Sequence, residues 1–389
     1  MESLNIAFYS DTYLPAMDGV VNSIINTRKE LERRGHNVYL FVSGDSRTRK
    51  ATRNDKNIFI IPGAKFNKYP QYNIAFFPFS AYFKYKDLKI NLIHAHTPML
   101  VGMYALMLGR MNKQPIVGSF HTLFTEKDVI NEYINSQVLK KYALKYSWKY
   151  ARYFYNRCNA TIAPTLTIKD LLEKKRIRNV SVVPNGIDTK RFNPKVDGSE
   201  IRGKLAGNKK VILYVGRLSK EKHVEVLLRA MKLLDDNYML IIGGTGPSMQ
   251  HYMSLSARLN LSSKVRFVGF IKDELLPQYY AAADVVCLPS TFETQGMVVL
   301  EAMAVGKPVI GANKLALKEI IKNGKNGEKF EPGDYTGCAR KIEKVINNMD
   351  SYKETISTAK NYSVENATEM LINLYKEILN NYNNNAYQL

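Results

Sequence analysis

Two carboxylates eight residues apart, Glu293 and Glu301, stand in the stretch T-F-E-T-Q-G-M-V-V-L-E from Thr291 to Glu301. Carboxylates accept hydrogen bonds from hydroxyls, and a helix opening between them would turn backbone N–H groups toward an anion. The flanking residues predict that arrangement. Asp284 to Leu288 is a short, apolar, β-branched run that reads as a buried parallel strand, stopped by Pro289 and Ser290. Met297, Leu300, Met303 and Ala304 then recur at helical spacing, so a helix opens near Gly296 and runs to about Val305, with Gly306 as its C-terminal glycine. Glu293 is thereby placed in a loop at the carboxyl end of a strand, where open α/β sheets bind ligands. The N–H groups of Gln295, Gly296 and Met297 open the helix that carries Glu301. Hydroxyl acceptors beside an anion-binding helix end suit a nucleotide-sugar. Acidic residues near a helix start also complement its dipole with no ligand present, so this stretch alone leaves both readings open.

Other residues fit the same chemistry. After the apolar run Val211 to Val215 come Gly216-Arg217 and then Lys220-Glu221-Lys222, with a helix expected from about His223. Arg217 and Lys222 are two cations at a strand end and suit a diphosphate. His121 and Thr122 follow the run Ile116 to Phe120, where an imidazole can orient a substrate hydroxyl or phosphate. Gly19 precedes a helix predicted from about Val20 to Arg34 and permits close approach of backbone to ligand; a glycine there also serves as a plain cap.

The elements that position these residues alternate between strand and helix. Strands are predicted at Leu4–Tyr9, Val38–Val42, Leu92–His96, Ile116–Phe120, Thr161–Ala163 and Val180–Val183, then at Val211–Val215, Leu240–Ile242, Arg266–Val268, Asp284–Leu288 and Val309–Ile310. That order implies two doubly wound parallel sheets. The turn Pro184 to Asp188 and the polar stretch to Asn208 read as the linker between them. Residues 45–57 read as a mobile basic loop, and the Asn-rich end as a frayed tail. The first loop lacks G-x-G-x-x-G, which excludes a dinucleotide fingerprint there.

Length and composition set the frame. A chain of 389 residues, 45% hydrophobic, has ample material for two domains. Three cysteines, Cys158, Cys287 and Cys338, have no metal-ligand spacing and suggest no disulfide framework. The apolar run Pro98 to Gly109 is far short of the roughly 20 residues of a spanning helix, and Met1 to Asp11 reads as a strand rather than a signal. The chain is expected in the cytoplasm, peripheral on the inner face of the cell membrane.

The formal net charge is +21, unevenly placed. Residues 1–190 hold 29 Lys and Arg against 14 Asp and Glu, a net +15; the rest holds 27 against 21, a net +6. A basic half implies a polyanionic partner or simply a charged, soluble surface. Residues 65–86 mix Lys65, Lys68, Lys84 and Lys86 with nine aromatics. Residues 137–157 predict one long helix, with Lys141, Lys145, Lys149 and Arg152 in one stripe and Tyr142, Tyr146, Tyr150 and Tyr153 beside it, joined by Trp148. Such a helix suits a membrane interface, with Lys141, Lys145, Trp148, Lys149 and Arg152 as its contacts; it equally suits an inter-domain helix with a solvated basic face. No helix-turn-helix, zinc or RNP signature points to nucleic acid.

Six motifs in order carry a resemblance: D-T-Y-L-P-A-M-D-G-V at the first loop, H-A-H-T-P at 94–98, F-H-T at 120–122, V-P-N-G-I-D at 183–188, G-R-L-S-K-E-K at 216–222 and E-T-Q-G-M-V-V-L-E at 293–301. Together they resemble family 4 retaining glycosyltransferases, over nearly the whole chain. E-T-Q-G with the T-Y-L-P and G-V-V-N-S opening is similar to the diacylglycerol glucosyltransferase branch. The resemblance implies a GT-B fold, α/β, with two Rossmann-like domains facing each other across a cleft: an acceptor-side domain over 1–190 and a donor-binding domain over 191–364, with a C-terminal helix near 365–385 packing back on the first. It implies that Gly19 approaches the donor diphosphate and that His121 contacts the transferred sugar. Arg217 and Lys222 would hold the leaving group. Glu293 with Gln295, Gly296 and Met297 would hold the sugar, and Glu301 the ribose. The family needs no metal, and this sequence has no Asp-x-Asp pair, so no cofactor is expected. Two positions depart from the pattern: Asp18-Gly19 replaces the usual glycine pair, and Gln295 stands where many members carry an aromatic.

The expectation is a hexosyltransferase moving glucose from UDP-glucose to a membrane lipid, with an anionic membrane surface as partner. Rival readings are a transferase for a soluble sugar or sugar phosphate, and a non-catalytic nucleotide-sugar or polyanion binder.

Overall fold

The computed structural model describes residues 3–66, 69–75, 85–125 and 136–386. The chain forms two compact units, Met1–Gly186 with Val364–Leu389, and Ile187–Ser363. Both are α/β units of Rossmann type.

The first unit holds eight strands: β1 (Asn5–Ser10), β2 (Asn37–Gly44), β3 (Ile58–Phe66), β4 (Tyr69–Ala75), β5 (Leu92–Ala95), β6 (Ile116–Ser119), β7 (Ala160–Ala163) and β8 (Val180–Val182). Their order is β4-β3-β2-β1-β5-β6-β7-β8. All neighbours are parallel except β3 and β4. The inner strands are buried on both faces, which is why their sequences are continuous apolar runs rather than alternating ones. Helix Gly19–Arg33 lays Val21, Ile24 and Leu31 on the sheet and ends at Gly35, whose φ of 89° an L-residue adopts only with strain. Helix Val364–Ala386 joins this core through Leu371, Ile372, Leu374, Tyr375 and Ile378, each burial contributing roughly 1.5–3 kcal/mol.

The second unit holds β9 (Lys210–Val215), β10 (Tyr238–Gly243), β11 (Val265–Gly269), β12 (Val285–Leu288), β13 (Val309–Ala312) and β14 (Gly327–Phe330), all parallel, in the order β11-β10-β9-β12-β13-β14. In each sheet the strand order reverses once, at β1/β5 and at β9/β12. The loops leaving those strands border the crevice that such a reversal opens.

Several expectations are corrected. The boundary falls at Gly186/Ile187, and residues 187–208 are no free linker. Ile187 donates to the Tyr362 carbonyl, helix Ser199–Leu205 lies within the stretch, and Arg202 pairs with Asp284 at 3.0 Å. Residues 45–57 are not wholly loop: Asp45 caps a helix, Ser46–Thr52, by accepting from the Arg47 and Thr48 N–H groups. Strands β3 and β4 occupy much of 58–75, where aromatic and lysine composition hid the period of a strand. Lys68, Pro78, Lys84 and the aromatics Phe76 to Phe83 lie outside the described residues. Strand β14 has no counterpart among the strands expected from sequence. The Asn-rich segment is helical as far as Ala386, because the helix preceding it is already anchored. The three cysteines are free and buried.

Candidate active site

At the β9/β12 reversal, two loops from adjacent strands are brought side by side. The loop after β9 is set by backbone: Leu218 donates to the Thr245 carbonyl at 2.9 Å and Ser248 donates to the Leu218 carbonyl at 2.8 Å. Gly244, at φ 128°, lies so close that a Cβ there would fall 1.9 Å from the Gly216 oxygen. This close approach is why the turn after β10 is glycine-rich.

Lys222 and Glu293 meet in this arrangement. The ammonium donates to Glu293 Oε1 at 2.7 Å, with 22% and 14% of the two side chains exposed. Arg217 lies 3.4 Å from Glu221 Oε1, and the Ser219 hydroxyl donates to the same oxygen of the buried Glu221. His223, at φ 51°, contacts Thr291 Oγ1 and Glu225 Oε1, both at 3.1 Å, and so ties the two loops together.

Gly296, at φ 74°, is the N-cap of helix Met297–Ala304, and no side chain caps that helix. The N-terminal amides of a helix with no side-chain cap, together with its dipole, suit an anion. The far end closes as predicted: Gly306 donates to the Met303 carbonyl and Lys307 to Ala302. Glu301 is buried on this helix and accepts from the Tyr280 hydroxyl at 2.7 Å. Burial lifts its carboxyl to about 7, opposed by the Tyr280 hydrogen bond and the Arg191 guanidinium. The structure therefore joins Lys222 to Glu293, with Arg217 in the loop after β9 and Gln295, Gly296 and Met297 where the loop after β12 enters its helix; Glu301 lies further along that helix, against Tyr280. Sequence reasoning missed Tyr280, Thr291 and Glu221. Tyr280 sits on a separate helix, Leu276–Ala282, with no local pattern linking it to Glu301.

In the first unit, Asp18 rather than Gly19 is the N-cap: its Oδ1 accepts from the Val20 and Val21 N–H groups at 2.9 Å. A Cβ on Gly19 would meet no described atom within 4 Å, so packing does not demand glycine there. Asp11, at the start of the same loop, is held between Thr97 and the Val101 N–H, at 2.5 and 2.9 Å.

His121 is the end of a column of three imidazoles. His94 is pinned by Tyr375 at 2.6 Å and Ser119 at 2.7 Å. His94 and His96 stack at 4.0 Å, and His96 Nδ1 lies 3.2 Å from His121 Nε2. Burial pushes His94 down to about 3 and His121 to about 4, a hydrogen bond with Asn185 acting upward on His121. His96 falls well below the ordinary range through burial and its two neighbours. All three are neutral at pH 7. Asn185, from V-P-N-G-I-D, also accepts from Ser23 Oγ at 2.8 Å, so three of the motifs converge here.

Helix Gln137–Tyr155 exposes Lys141, Tyr142, Lys145, Tyr146, Lys149 and Tyr153. Arg152 is half-buried. Trp148 is half-buried and belongs to the packed side: its ring lies parallel to Phe120 at 6.4 Å, with the Lys175 ammonium 5.1 Å from it. Tyr150 also turns inward, donating to the Pro98 carbonyl. Among the described residues no helix is long and apolar enough to cross a membrane.

Two Rossmann-type units, with carboxylates, cations and a helix end gathered at a strand-order reversal, define the GT-B class of fold. Solved structures agree: the chain aligns over 96% of its length with all of Anabaena Alr3699/HepE crystallised with UDP-glucose, at TM-score 0.76 and 21% identity. The family models described as Glycosyltransferase Family 4 and Glycosyl transferases group 1 match residues 17–191 and 199–362. The chain belongs to these glycosyltransferases and is a hexosyltransferase. It is 28% identical to an alpha-monoglucosyldiacylglycerol synthase of Streptococcus pneumoniae, over 91% of this chain and 81% of that protein. It is also 28% identical to a protein of the same name from Acholeplasma laidlawii, over 85% and 86%. A GDP-mannose-dependent alpha-mannosyltransferase of Corynebacterium glutamicum is 26% identical over 85% and 78%.

Proposed function

We propose that the enzyme transfers glucose from UDP-glucose, with retention of anomeric configuration, to the hydroxyl of a membrane lipid such as a diacylglycerol. The observation that carries the reading is the meeting of Lys222 and Glu293 beside the uncapped end of helix Met297–Ala304. Arg217, Lys222 and the helix amides take up charge as the bond from the anomeric carbon to the diphosphate breaks. Glu293, with the backbone of Gln295, Gly296 and Met297, holds the sugar hydroxyls, and Glu301 holds the ribose. His121, neutral, contacts the sugar, and the Gly19 backbone approaches the diphosphate. The lipid oxygen bonds to the anomeric carbon on the face the diphosphate leaves, and its proton departs with the diphosphate. Cations and a helix dipole supply the stabilisation, so the reaction needs no metal or other cofactor. The diacylglycerol synthase relatives and the exposed lysine and tyrosine face of helix Gln137–Tyr155 support the lipid acceptor and a peripheral place at an anionic membrane. The mannosyltransferase relatives favour a second reading, with GDP-mannose as donor.

The test is turnover of UDP-glucose, UDP-galactose, GDP-mannose and UDP-N-acetylglucosamine, with and without diacylglycerol vesicles, for wild type and Glu293→Ala. Lipid-dependent turnover of UDP-glucose alone, lost in the variant, is expected. Turnover indifferent to lipid would move the acceptor to the soluble pool. No turnover of any donor would overturn the donor reading.

A further inference from the structure

The Glu301 carboxylate is held by a second buried side chain. Its Oε2 accepts from the Tyr280 hydroxyl at 2.7 Å, and Tyr280 is wholly buried. The Tyr280 ring is itself fixed, meeting Phe192 edge-on at 5.8 Å, while the Arg191 guanidinium lies over Phe192 and pairs with Asp273 at 2.8 Å. A carboxylate on a helix has free rotation about three side-chain bonds unless something holds it. Tyr280 occupies one oxygen and leaves Oε1 for a ligand.

We propose that Tyr280 is a positioning residue for donor binding: it orients the Glu301 carboxylate toward the paired hydroxyls of the nucleotide ribose. This rests on the reading that Glu301 binds the ribose.

The electrostatic surroundings make the proposal testable by pH. Burial raises the Glu301 carboxyl, Asp273 adds to that, and Tyr280 and Arg191 oppose it. The other elements packed on its helix supply little: strands β12 and β13 carry no charged residue, helix Thr355–Asn361 carries only Lys360, and helix Leu276–Ala282 carries no charge. A hydroxyl donating to a carboxylate favours its charged form, so removing it moves the titration upward. Only ionised Glu301 accepts from both ribose hydroxyls. The KM for donor should therefore rise as pH falls through about 7.

The experiment measures KM and kcat for UDP-glucose, and the Kd for UDP, from pH 6 to 9, on wild type, Tyr280→Phe and Glu301→Gln. Phenylalanine keeps the ring and its packing against Phe192, and a thermal melt of each variant checks folding. The expected result is a KM for Tyr280→Phe raised about tenfold at pH 7, the scale of one hydrogen bond to a charged group. The inflection of KM should move to higher pH, the deficit should shrink toward pH 9, and kcat should change little. Glu301→Gln should raise KM at every pH and abolish the inflection. If Tyr280→Phe has the wild-type KM profile while Glu301→Gln is impaired, the positioning role is overturned and the ribose reading stands. If Glu301→Gln binds UDP like wild type, the ribose reading itself fails. A Tyr280→Phe defect equal at all pH values would show packing alone and would overturn the proposal.

Discussion

The Lys222 ammonium and the Glu293 carboxylate form a 2.7 Å ion pair between loops that leave neighbouring strands β9 and β12. Each is mostly withdrawn from water, so each needs the other until a donor arrives. Lys222→Met should destabilise the protein by about 1–3 kcal/mol, the cost of a desolvated group left without its partner. Adding Glu293→Gln to that variant should recover part of the loss. Urea unfolding of the two single variants and the double variant gives the coupling; strictly additive effects would contradict the pairing. In catalysis the roles separate. Glu293→Ala should reduce kcat by about 10²–10³-fold, while leaving the Kd for UDP nearly unchanged.

The histidine column makes stability depend on pH. His94, His96 and His121 have folded-state values below the ordinary imidazole value, so the unfolded chain takes up their protons first as pH falls. Their contribution is fully present above about pH 6.5 and is lost as pH drops from there through about 4 for His121 and about 3 for His94. Melting temperature should hold between pH 7 and 8 and fall steeply below about 6.5. In His96→Phe the aromatic packing against Phe8 is kept and one titrating ring is gone. Proton uptake on unfolding at about pH 5 should then drop by about one. An unchanged pH slope in that variant would contradict a neutral, buried His96.

Asp18 replaces a glycine of the family's usual pair and carries the helix cap. Asp18→Ala should cost about 1 kcal/mol, Asp18→Gly only a few tenths, and Asp18→Asn almost nothing, by urea unfolding. A loss equal for alanine and asparagine would mean that charge, not the hydrogen bonds to Val20 and Val21, is what counts.

The exposed face of helix Gln137–Tyr155 gives a binding prediction. Each basic residue at an anionic bilayer contributes about 1 kcal/mol. The triple change Lys141→Glu, Lys145→Glu and Lys149→Glu should therefore lower partition onto anionic vesicles by more than about 100-fold, with binding to neutral vesicles hardly altered. Trp148→Phe should instead leave partition nearly intact and reduce stability, because that ring packs on Phe120. Flotation at low and high salt checks both; a wild type that stays in the soluble fraction at low salt would contradict a membrane role.

Much of this was readable from residue types. Buried parallel strands announce themselves as short apolar runs, and β1, β9 and β12 fall within a residue or two of where those runs lie. Glycines 35 and 306 mark helix ends because their φ angles of 89° and 85° suit no other residue so well. What sequence did not carry was contact across distance. Strand order is set by packing, so nothing local says that β9 lies against β12 and brings Lys222 to Glu293. Tyr280 and Glu301 are 21 residues apart on two helices, and their hydrogen bond exists only once both are folded. The stripe on residues 137–157 was legible as a stripe, but which of its aromatics turn inward, as Trp148 and Tyr150 do, depends on Phe120 and Pro98, elements the stripe does not contain.

The most direct measurement of the central claim is the product. Wild-type enzyme would be incubated with labelled UDP-glucose and anionic vesicles containing diacylglycerol, and the organic phase analysed by NMR at the anomeric proton. Label in a glycolipid of α configuration, the configuration of the donor, absent with Glu293→Ala, is the predicted result. A β-linked product would contradict retention. A fully active enzyme that leaves all its label in the aqueous phase would contradict a lipid acceptor.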